Sequence, residues 1–113
     1  MNTDAHLGFP VPLLGQEPQR LPVLFDDGDR VVLFKPPGVL VQQDSWFPRI
    51  PVLVEAIRYQ AAQGKPEFRK LGIGEAGLWA VSDLDPEIGG PVLLTRKRET
   101  AETLRSALGS DEF

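Results

Sequence analysis

The sequence predicts an α+β domain: a small mixed, mostly antiparallel sheet of about five strands with two helices packed on it. Three observations predict this. Short apolar runs rich in β-branched and aromatic residues recur between Gly, Asp and Pro turns. Two longer segments, 51–63 and 99–108, instead repeat their apolar residues at helical spacing. Eleven prolines and eleven glycines in 113 residues keep every element short.

The length fits one domain, which we divide into an extended leader over 1–20 and a folded part over 21–113. A 42% hydrophobic and 25% charged composition is that of a globular protein. With no cysteine there is neither a disulfide framework nor a thiolate metal site. No apolar run approaches the roughly 20 residues that span a bilayer, and the N-terminus lacks a signal-peptide pattern. The expectation is therefore a cytoplasmic protein with no membrane partner. There is no P-loop, no dinucleotide glycine fingerprint and no His/Cys/Asp cluster, so no cofactor and no metal are expected. The net charge of −4 opposes nucleic-acid binding, which Lys and Arg carry, except where basic residues cluster.

Taken in order, residues 1–20 hold Pro10, Pro12 and Pro18 with little periodicity, and His6, the only histidine, falls among them. Pro22–Phe25 and Arg30–Phe34 read as a hairpin closed by Asp26-Asp27-Gly28-Asp29. Lys35-Pro36-Pro37-Gly38 forces a turn, since two prolines remove two backbone donors and fix φ. Lys35 is either a charge aimed at a site or a strand-end lysine. Val39–Val41 resumes as a short strand. The polar loop 42–50 carries Trp46, Phe47 and Arg49, which suit either stacking on bases or a flap packed on the core. Pro51 to Gln63 is the first helix, with Leu53, Ala56, Ile57 and Ala61 on one face and Gly64 as its stop. A loop to Gly77 follows, with Lys65, Arg69 and Lys70 as a basic triplet.

The chain is organised around Leu78 to Leu94. Two apolar runs flank the acidic turn Ser82-Asp83-Leu84-Asp85-Pro86-Glu87, which closes on Gly89-Gly90. Rigid strands thereby mount a loop carrying a carboxylate, the kind of position where chemistry tends to sit. Arg96-Lys97-Arg98 form a second basic cluster ahead of the last helix, Glu99–Leu108, which Gly109 ends.

Three pieces in this order resemble RNA pseudouridine synthases of the RluA/RsuA type. Val23–Val41 resembles the opening of that catalytic domain, with Lys35-Pro36-Pro37-Gly38 at its "NKPxG" turn. Ser82–Gly90 stands where the family has "HRLDxxTSG", and Pro91–Lys97 with the last helix follows as the family's strand and helix do. The resemblance covers about residues 21–110 and implies half of a pseudouridine synthase fold. It implies a cofactor-free isomerisation of uridine in structured RNA, rRNA or tRNA, with the target base flipped out. It makes Asp85 the catalytic aspartate and Lys35, Arg96, Lys97 and Arg98 the phosphate-binding residues. Ser82 and Asp83 occupy the motif's His and Arg positions, and Ile88 and Gly89 its Thr and Ser. The family's second half, with a stacking tyrosine and a basic partner for the aspartate, has no counterpart here. An incomplete or inactive synthase is therefore expected, or alternatively a non-catalytic binding or assembly module. An open sheet edge or face would favour a homodimer.

Overall fold

The computed structural model describes residues 5–108. Its strands are β1 (His6–Phe9), β2 (Gln19–Asp26), β3 (Arg30–Lys35), β4 (Trp79–Ala80) and β5 (Gly90–Thr95). Its helices are α1 (Leu53–Ala62), α2 (Pro66–Lys70) and α3 (Arg98–Leu108). The strands form one sheet in the order β1-β2-β3-β5-β4, and every neighbouring pair is antiparallel. The α+β class is as expected; the helices number three rather than two. The expected stop at Gly109 lies outside the described residues.

Alternation with a period of two decides which sheet face is covered. Leu7, Phe9, Leu21, Val23, Val31, Leu33, Ala80, Val92 and Leu94 point inward and are buried. They share one core with Leu53, Ala56, Ile57 and Ala61 of α1 and with Phe68 of α2. Phe9 and Phe68 meet edge to face with centroids 5.8 Å apart, which locks β1 to α2.

The leader is a correction. Residues 6–9 are not a loose extension but the first strand of the sheet, because Leu7 and Phe9 alternate into the core. Gly8, between them, faces away from β2. Its N–H donates to Glu67 Oε2 at 3.2 Å and its carbonyl accepts from Gln60 Nε2 at 2.8 Å. Side chains from α1 and α2 thus occupy the edge that β1 would otherwise expose.

Two further segments differ from the reading above. The loop after Gly64 contains α2, which Pro66 begins in the position where a missing N–H costs nothing. Residues 39–41 make only one parallel bridge, Leu40 to Val52, and instead cap α1. The Leu40 carbonyl accepts from Leu53 N–H at 2.7 Å and that of Val41 from Val54 N–H at 3.1 Å. Orphan donors at the start of α1 are satisfied by main chain, which is why Val52 needs no side-chain cap.

The opposite sheet face is apolar and largely uncovered. A bulge sets Leu24 and Phe25 against Val32, and Val32 and Phe34 lie beside Leu93 and Pro91 of β5. Leu24, Phe25 and Phe34 are 46%, 40% and 41% exposed.

Candidate active-site cleft

Two loops at one end of the sheet face each other across a cleft of about 730 Å³. One wall is Leu40, Gln42, Gln43, Asp44 and Phe47; the other is Asp83 to Ile88. Asp85 is exposed there, at the turn between β4 and β5 in which Ile88 N–H donates to the Asp85 carbonyl at 3.0 Å. The carboxylate singled out from the sequence therefore stands in a concave site held by strands on either side.

What holds the Asp85 loop in place is the Lys35–Gly38 turn, about fifty residues earlier in the chain. Gly38 N–H donates to the Pro86 carbonyl at 2.6 Å, with Gly38 at φ +90°, in the left-handed region. Gly89 passes so close beneath the turn that a Cβ on it would stand 3.0 Å from Pro37 Cδ and 3.2 Å from the Lys35 carbonyl oxygen. Gly89, at the motif's Ser position, is there for close approach of two backbones.

Lys35 is fully buried. Its Nζ donates to the carbonyls of Val39 at 2.6 Å, Pro36 at 2.9 Å and Pro86 at 3.4 Å. Burial pushes its ammonium below the usual 10.5, and the charges of Asp83 and Glu87 pull the other way. A lysine so enclosed joins the two loops from inside and is not presented to a phosphate.

The other expected phosphate contacts are elsewhere. Arg96 makes a bidentate pair with Asp26, at 2.9 and 2.8 Å, and also donates to the Leu71 carbonyl. It binds the β2–β3 turn to the loop before β4. Lys97 and Arg98 are exposed, and Arg98 pairs with Glu102 at 3.1 Å. All three follow the C-terminal end of β5, whereas the cleft lies at its N-terminal end, about 20 Å away along a six-residue strand. No basic side chain lines the cleft. Its charged lining is Asp44, Asp83, Asp85 and Glu87. Among the described residues no group of three or more His, Cys, Asp or Glu side chains is arranged to hold a metal ion.

Ser82, at the motif's His position, lies beside the lining and serves the backbone. Ser82 Oγ accepts from Leu93 N–H at 2.8 Å, satisfying β5 just beyond the last residue that β4 pairs. A hydroxyl at a strand exit is the available signal, since Ser readily bonds nearby backbone. Trp46 is 85% exposed, so the flap packed on the core does not include it.

No family model matches the chain, and no curated protein matches it. Among solved structures it is similar to human RNA pseudouridylate synthase domain containing 4. The TM-score is 0.54 at 19% identity, over 76% of this chain and 28% of that one. The chain thus spans 28% of that protein's length. This superposition gives the chain the fold of part of an RNA pseudouridylate synthase domain.

Proposed function

We propose that this chain is a pseudouridine synthase-like domain portion, of the RluA/RsuA type, that presents Asp85 to a flipped uridine in structured RNA. In the reaction the N1–C1′ bond of uridine breaks, a C5–C1′ bond forms, the C5 proton leaves to solvent and N1 takes up a proton. Asp85 supplies the carboxylate that attacks the sugar or stabilises its developing positive charge. The observation that carries the reading is the placement of Asp85 in the cleft, on a loop tied to the Lys35–Gly38 turn through Pro86. RNA, rRNA or tRNA, is the substrate class on this reading, with no cofactor required.

The isolated chain does not complete the reaction. Asp83 stands at the motif's Arg position, and the cleft lining holds no cation to pair with Asp85 or a phosphate. Tritium release from RNA labelled at uridine C5 tests this, and no release above background is expected. Release that vanishes in Asp85→Asn would overturn the inactive reading and establish the catalytic one.

One observation favours a second reading, a non-catalytic binding or assembly module. The cleft carries four carboxylates, and two of the four expected RNA-binding cations, Lys35 and Arg96, are engaged inside the fold. Self-association belongs to the same reading. Gln60 and Glu67 occupy the β1 edge and β4 offers an edge of only two residues, so the outer sheet face is the broader surface for a second copy. Leu24, Phe25, Val32, Phe34, Pro91 and Leu93 put no charge against a copy there.

A further inference from the structure

The cleft's loop 42–50 holds an aromatic side chain whose exposure the fold does not explain. Trp46 is 85% exposed, the most of any large hydrophobic residue among those described. It stands between two residues that line the cleft, Asp44 and Phe47, and is not itself in the lining. Its backbone is fixed: Trp46 N–H donates to Asp44 Oδ1 at 2.9 Å and Phe47 N–H to the Asp44 carbonyl at 3.0 Å. The exposed indole is thus carried by a pinned turn in the wall opposite the Asp85 loop. Arg49, exposed three residues on, makes no ion pair among the described residues.

Charge decides how a nucleic acid meets such a rim. Asp44, Asp83, Asp85 and Glu87 repel phosphate, whereas a nucleobase is neutral and has a π-face that any aromatic side chain accepts. We propose that Trp46 is a stacking platform for the unpaired base next to the target uridine. Arg49 takes the phosphate beside it, so the strand enters the cleft base first. The assignment rests on the RNA reading above and adds the contact that holds the flanking nucleotide.

Titration of the full chain with a short single-stranded oligouridylate tests it, following tryptophan emission in the unaltered protein and in Trp46→Leu. The second tryptophan, Trp79, is common to both and cancels in the difference. Emission from Trp46 is expected to be quenched on binding. Trp46→Leu is expected to weaken binding about tenfold, and Trp46→Phe to restore most of it. One phosphate contact gives a shallow salt slope, about −0.7 in log affinity against log salt, which Arg49→Gln removes. Binding detected by filter retention with unchanged Trp46 emission and unchanged affinity in Trp46→Leu overturns the stacking platform and leaves the RNA reading standing. No retention at any salt concentration overturns both. Quenching by oligolysine but not by oligouridylate overturns both and assigns the rim to a basic protein segment.

Discussion

The carbonyl of Pro86 accepts the Gly38 N–H at 2.6 Å, joining a turn early in the chain to the loop that carries Asp85. The glycine uses a left-handed φ to make that bond, and the proline carbonyl also lies 3.4 Å from the buried Lys35 ammonium. The cleft's geometry depends on this junction more than on anything in the cleft itself.

Gly89→Ala is the sharpest test of the junction. A methyl group there meets Pro37 Cδ at 3.0 Å and the Lys35 carbonyl at 3.2 Å, so the two loops must part. The expected loss is about 1–3 kcal/mol in urea unfolding. Gly74→Ala, with nothing within 4 Å of its added Cβ, is the control and should change stability by less than about 0.5 kcal/mol.

Lys35→Met keeps the length of the side chain and removes its donors. The carbonyls of Val39 and Pro36 then lose the Nζ donor in an enclosed place, while that of Pro86 keeps the Gly38 N–H. A loss of about 1–3 kcal/mol is expected. Faster hydrogen exchange at the Gly38 amide is expected with it, and an unchanged exchange rate there would show that Lys35 is not what joins the loops.

Acid should loosen the far end of the sheet first. The Arg96 guanidinium holds the Asp26 carboxyl below its usual 3.8, and backbone N–H groups of Arg30 and Asp29 bring Asp27 down to about 2. Both groups bind protons more weakly in the folded chain than in the unfolded one. Their contribution is therefore complete above about pH 4 and lost as pH falls toward 2. Denaturation midpoints across that window should drop, and Asp26→Asn should flatten the part due to Arg96.

Phe34→Lys addresses self-association. Phe34, one residue from the end of β3, lies on the outer face with 41% exposure, so the substitution alters a surface and leaves the core alone. Sedimentation velocity should show the unaltered chain shifting toward dimer with concentration and the variant remaining a monomer.

Lys97→Glu with Arg98→Glu separates the second basic cluster from the cleft. Both residues lie past the far end of β5, so oligouridylate affinity and Trp46 quenching should be unchanged within about twofold, beyond the weak screened effect of distant charge. A large loss of affinity would bring the RNA path along β5 instead.

The sequence made the hairpin, α1, β5 and α3 legible because each repeats an apolar pattern over enough residues to be recognised. It also brought out Asp85 and the Lys35–Gly38 turn, whose local chemistry is unusual. What it hid depends on contacts distant in sequence. His6–Phe9 is too short to read as a strand until Phe68 is placed against Phe9. Five residues of α2 give too little periodicity, although Pro66 at its first position is a helix-start signal. Nothing local distinguishes a lysine that reaches phosphate from one turned onto three carbonyls, as Lys35 is. Nor does Arg96 beside Lys97 and Arg98 announce its pairing with Asp26, seventy residues away.

The two margins of the sheet are unlike. At β1, Gln60 and Glu67 have taken the places a neighbouring strand would use. At β4 the strand is two residues long, and among the described residues no side chain bonds to the backbone of Trp79 or Ala80. Growth of this sheet is thus one-directional: whatever chain extends it must join beside β4, where Ser82 already holds the neighbouring amide of Leu93 and the Asp85 cleft lies within reach of the newcomer.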